Sequence, residues 1–201
     1  MARYFIIPLL LISLSSLAQD YKSQIAAFRQ QYEDDFLTDQ NSPLAKADLQ
    51  NLRFYDADST YRVVAKAEML LNEAAFVMPV FSGNGRQYIR YALLKFELKG
   101  KPMQLTVYRN IALSATAQYK DYLFLPFTDE SNGKDTYGGG RYIDLKATDF
   151  KDGEVVVDFN KANNPYCAFS GGYSCPKAPG ENHLQIAVEA GEKQFAGAHK
   201  L

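Results

Sequence analysis

From Asp20 the chain reads DYKSQIAAFRQQYEDDFLTD, with Ile25, Phe28, Tyr32 and Phe36 recurring at spacings of three, four and four. That period puts one apolar stripe on a helix whose other faces are charged, so the segment should pack against something. Asp20 stands where a helix N-cap would. NSPLAKADLQNL then reads as a turn with one helical turn at most, because Pro43 disfavours helical backbone at Ser42.

Beyond this point the period shortens to two. TYRVVAKAEML and AAFVMPVF read as strands. SGNG at 82–85 is a tight-turn signal, and the long strand RQYIRYALLKFEL follows it. KGKP turns the chain into MQLTVYRN, where Met103, Leu105 and Val107 oppose Gln104, Thr106 and Tyr108. DYLFLPF, EVVVDF and HLQIAVEA complete the set. Consecutive strands joined by short turns imply an antiparallel sheet. The expected class is α+β, mainly β: an antiparallel barrel or sandwich with an N-terminal amphipathic helix.

The first residues carry a different pattern. MARYFIIPLLLISLSSLAQD has Arg3, an apolar run from Tyr4 to Ile12, and small residues at Ser16 and Ala18. This is the layout of a secretory signal peptide cleaved before Gln19. The apolar run falls short of the about 20 residues that a permanent span needs. The expectation is a leader over 1–18, one domain over 19–201, and export to the periplasm or the medium, with no transmembrane segment in the mature chain. Lys and Arg number 22 against 23 Asp and Glu, so no basic face for nucleic acid is implied. No phosphate loop, dinucleotide fingerprint or paired-His motif occurs, and no cofactor is expected. Oligomeric state is not legible.

Two long polar segments interrupt the strands, FTDESNGKDTYGGGRY at 127–142 and NKANNPYCAFSGGYSCPKAPGEN at 160–182. Connections of this length in a compact domain are usually functional or disordered. Both carry aromatics among their glycines, which disorder does not favour. Arg141 is the leading candidate for a ligand contact, its guanidinium suiting a small anionic ligand. Its alternative role is an ion pair with Asp129 or Asp158. Acceptors from Asp158, Asn160, Glu181 and Asn182 are expected to meet it where the segments converge. A hydrolase-like site would use Asp129 or Asp158 with Arg141. A third reading is an envelope protein-interaction module.

LFLPFTDESNGKDTYGGGRYIDL, DFNKANNPYCAFSGGYSCPKAPGENHLQIAVEAGEK and LQNLRFYDADSTYRV together resemble the bacterial domain-of-unknown-function family numbered 1684. The resemblance implies a pattern that includes Asp129, Thr136, Tyr137, Arg141 and Tyr142 in the first segment. In the second it includes Asp158, Asn160, Asn164, Cys167, Cys175, Glu181 and Asn182, followed by Glu192. Thr136, Tyr137 and Asn164 thereby join the candidate ligand-binding residues. Asn163 and Phe169 stand where the family pattern has Tyr. The family implies no activity.

Cys167 and Cys175 are the only cysteines. In an oxidising compartment two lone cysteines pair, and closing so short a ring would stabilise the fold by about 2.5 kcal/mol. Two alternatives stand beside this: zinc ligation with His183 or Asp158, and a nucleophilic thiol that uses His183. His199 lies in a tail expected to fray.

Overall fold

The computed structural model describes the backbone of residues 11–200 and the side-chain surroundings of residues 19–200. The expected leader therefore lies largely outside the described residues. One helix, α1 (Leu11–Thr38), precedes an eight-stranded sheet. The strands are β1 (Arg62–Met69), β2 (Phe76–Met78), β3 (Arg86–Leu98), β4 (Lys101–Asn110), β5 (Tyr122–Asp129), β6 (Arg141–Lys146), β7 (Glu154–Asp158) and β8 (His183–Leu184). Their order is β6-β5-β4-β3-β1-β7, with β2 added on β3 and β8 on β5.

The sheet is a single curled half-barrel rather than two stacked sheets. One face, from Ile143 and Leu145 on β6 to Val155 and Val157 on β7, closes over the main core. All pairings are antiparallel except that of β8 with β5. The β3–β4 hairpin turns at Lys99 and Gly100, both at positive φ (52° and 74°), the geometry that matches strand twist. A register shift between Arg90 and Ala92 bends β3 and helps the sheet curl.

Several expectations need correction. Asp20 does not cap α1, because the helix runs through it; its carboxylate accepts from Gln24 one turn on (2.9 Å). HLQIAVEA is a strand only at His183–Leu184. Beyond it, the carbonyls of Val188, Ala190 and Glu192 turn inward to Arg141 instead of joining a ladder. The tail does not fray: the Lys200 amide and carbonyl bond to Phe169 and Gly171. The predicted stripe holds, with Ile25 and Phe36 buried and Tyr21 joining them one turn earlier.

β4 and β5 pair only at Tyr108–Phe124. The Asn182 amide fills the gap that follows. It accepts from the Thr106 amide (2.7 Å) and donates to the carbonyls of Thr106 (2.8 Å) and Pro126 (2.7 Å). A carboxamide does here what a peptide group would do, so Asn182 is a strand stitch.

Candidate functional site

β6 alternates. Arg141, Ile143 and Leu145 face the core, while Tyr142 and Asp144 face the other way. Arg141 is therefore wholly buried. Its guanidinium pairs with Asp129 (2.7 Å), donates to the carbonyls of Val188 (2.9 Å), Ala190 and Glu192, and lies over the Phe127 ring. The second Asp129 oxygen accepts from the Ser131 amide (2.8 Å), the Ser131 hydroxyl and the Val188 amide (3.1 Å). Thr136 closes this network through Ser131 (2.8 Å) and Asn132 (2.9 Å). Gly191, at φ 77°, turns the carbonyls toward Arg141; a Cβ there would lie 2.6 Å from the carbonyl oxygens of Phe159 and Ala162. The cluster locks the first long loop from inside, and the wholly buried Arg141 and Asp129 side chains offer a ligand no contact.

The other candidates scatter. Asp158 and Asn160 hold α1: the Tyr21 hydroxyl donates to Asp158 (2.9 Å), and the Asn160 amide donates to Tyr21 (2.7 Å) and to the Asp58 carbonyl (2.8 Å). Neither reaches Arg141. Glu181 accepts from Tyr108 (2.8 Å) and Arg90 (2.9 Å), and the Arg90 charge holds its carboxyl below the ordinary range. Tyr137 packs edge-on against Phe81. The His183 ring sits between Thr128 (3.0 Å) and Glu130 (3.2 Å), so it does not join the cysteines.

The two long loops do converge, but at Tyr142. Tyr142 and Asn163 exchange backbone bonds (2.9 and 3.0 Å), and the Tyr142 hydroxyl donates to the Pro176 carbonyl. A cleft of about 450 Å³ opens beside this junction, under α1. Its walls are Tyr32 and Phe36 from α1, Tyr122 from β5, Tyr142 from β6, and Tyr166 and Tyr173 from the second loop. Asp144 and Asp35 are its charged members. Every wall tyrosine has its hydroxyl committed. Tyr32 donates to Glu192 (2.9 Å), Tyr122 to Asp144 (2.7 Å), Tyr166 to Asp39 (2.8 Å) and Tyr173 to the Asn41 carbonyl (2.7 Å).

Asp144 is reachable by solvent yet surrounded by side chains. Burial pushes its carboxyl up, and the Tyr122 bond only partly opposes this. Behind the wall, Glu192 is fully buried. Its Oε2 accepts from Tyr32 and from the Asn164 backbone amide (2.8 Å), whereas its Oε1 and the Asn164 Oδ1 have no partner among the described residues.

Cys167 and Cys175 lie at disulfide distance, with Cα atoms 6.2 Å apart, and Cys175 lines the cleft. The loop between them is also held from outside. Phe81 donates to the Cys175 carbonyl (3.0 Å), and Lys177 donates to that of Pro79 (2.7 Å).

The sequence pattern of a protein family of unknown function, DUF1684, matches residues 47–193. The chain belongs to the DUF1684 family. It is similar to an uncharacterised protein of Haloarcula marismortui solved by solution NMR, at 33% identity and a TM-score of 0.68, over 89% of this chain and 96% of that one. No curated protein matches it. The DUF1684 match takes in the Arg141 lock, Tyr142, Asp144 and the cysteine loop, and begins after α1. Of the cleft walls, Tyr32 and Phe36 thus lie outside it.

Sequence reasoning on candidate ligands passed over Tyr32, Tyr122, Asp144, Tyr166 and Tyr173. The alternation in RYIDLK was the available signal for Asp144: it sets Arg141 with Ile143 and Leu145, and Asp144 with Tyr142. Nothing local marks the tyrosines on α1 and β5, which reach the cleft only through tertiary packing.

Proposed function

We propose that this DUF1684 protein is an exported small-molecule-binding module whose site is the cleft walled by α1, β5, β6 and the cysteine loop. The observation that carries the reading is the commitment of the wall hydroxyls to protein acceptors. Rings fixed in this way present preformed surface to a ligand and lose little entropy on binding. The Asp144 carboxylate lies among them with only its Oδ1 bonded by protein among the described residues. Export is supported by the leader pattern and by the cysteine pair at bonding distance.

A hydrolase-like site at Asp129 or Asp158 with Arg141 has little physical support. Asp129 and Arg141 neutralise each other out of reach of substrate, and Asp158 is occupied with Tyr21 and Asn160. The expected anionic ligand loses its basis with Arg141.

The test is amide-resolved NMR of residues 19–201 against a fragment library. Binders should shift Asn163, Asn164, Tyr166 and Tyr173–Cys175, and the Tyr142→Leu variant should lose them. A library whose hits all map elsewhere would overturn the reading.

A further inference from the structure

We propose that the cleft selects an organic cation: an amine or quaternary ammonium head on a small apolar body, with Asp144 as its counter-ion. This rests on the cleft being the binding site. Charge complementarity comes first. Asp35 and Asp144 line the cleft, and among the described residues no Lys, Arg or His lines it. Asp144 also borders adjoining grooves that hold Lys161, Arg62 and Lys151, and Lys146 follows it on the same face of β6. Among the described residues none of these makes an ion pair with it, and the Lys161 ammonium lies over the Phe28 ring at 5.5 Å.

The walls select in the same direction. Ring faces attract a cation through their quadrupole, an effect that strengthens where water is displaced. Tyr32, Tyr122, Tyr142, Tyr166 and Tyr173 have spent their hydroxyl protons on protein acceptors. They therefore have no proton to donate to a carboxylate, a phosphate or a sugar hydroxyl.

Asp144 supplies the third element. It has no cationic partner among the described residues, and its only protein donor there is Tyr122. A carboxylate crowded by side chains and left without a cationic partner is stabilised by whatever positive charge enters. The side chains that crowd it also raise its affinity for a proton.

The experiment titrates residues 19–201 with four probes of similar shape: phenethylamine, phenethyltrimethylammonium, 2-phenylethanol and 3-phenylpropionate. Amide shifts around Asn163 and Tyr173 report occupancy. The two cations are expected to bind at least about tenfold more tightly than the alcohol, in line with a desolvated cation–π and ion-pair contribution. The carboxylate should not bind. Asp144→Asn should erase the preference, while Tyr142→Phe, which keeps the ring, should retain it; thermal unfolding checks that both variants are folded. Equal binding of the alcohol, or tighter binding of the carboxylate, at the same amides overturns cation selection and leaves the cleft as the site. If library compounds bind in the cleft and neither cation does, the cation proposal fails alone. If no compound of either set reaches these amides, both readings fail.

Discussion

Glu192 carries the strongest pH consequence of any single residue described. Burial pushes its carboxyl up to about 7 from an ordinary 4.5, against the opposing bonds from Asn164 and Tyr32 and the nearby Arg141 charge. The unfolded chain releases this proton near 4.5, while the folded chain keeps it to about 7. The folded state therefore binds more protons between those values. The stability contributed is full below pH 4.5 and lost as pH rises to 7, a fall of about 3 kcal/mol from this group. Urea midpoints should fall across that window in the native protein relative to Glu192→Gln. Parallel midpoint curves for the two proteins would show that Glu192 does not hold its proton. Arg141 makes a second prediction. Arg141→Ala strands a buried carboxylate and should cost about 3–5 kcal/mol. Removing Asp129 as well should cost much less than the sum of the single changes, because the pair acts as one unit. Additive losses in denaturant titrations would separate the two residues.

At the scale of the element, the cysteine loop decides whether the cleft has a second wall. Few aliphatic side chains anchor it, so bridges to Val80 just beyond β2, to Tyr142 on β6 and to Lys200 in the tail hold the segment instead. Thiol counting under denaturing, non-reducing conditions should find no free thiol in the native protein. Two free thiols would remove the cross-link. Cys167→Ser with Cys175→Ser should cost about 2.5 kcal/mol. The same variant should weaken any cleft ligand, since Cys175, Tyr166 and Tyr173 share one short loop. The helix depends on a different anchor, Tyr21 on Asp158 and Asn160, and it carries Tyr32 into position.

At the scale of the whole molecule, export and fold are linked through α1. The helix starts inside the expected leader, yet the first side-chain anchor among the described residues, Tyr21, lies just beyond the expected cut. Cleavage before Gln19 would therefore keep every contact described for α1. Intact-mass measurement of envelope-located protein should give a chain starting near Gln19; retention of Met1 would end the leader reading. Among the described residues no helix is long and apolar enough to cross a membrane.

The sequence by itself determined most of the element types, HLQIAVEA being the exception. The three-four spacing of Ile25, Phe28, Tyr32 and Phe36 and the alternation in MQLTVYRN are local consequences of backbone geometry, and both elements formed where expected. It also carried the family, since the loop motifs are long and specific. It did not determine which polar residues meet solvent. Asp129, Arg141 and Asn182 read as a polar site because their types suit ligands, but the sheet places each where a buried backbone group needs a partner. Nor did it determine the cleft. Tyr32, Tyr122, Tyr142 and Tyr173 come from four separate segments, and only the packing of α1 and the cysteine loop against β5 and β6 brings their rings around Asp144. Period-two patterning says which side of a strand a residue takes; which of those sides is covered, and by what, is set by contacts far apart in the chain.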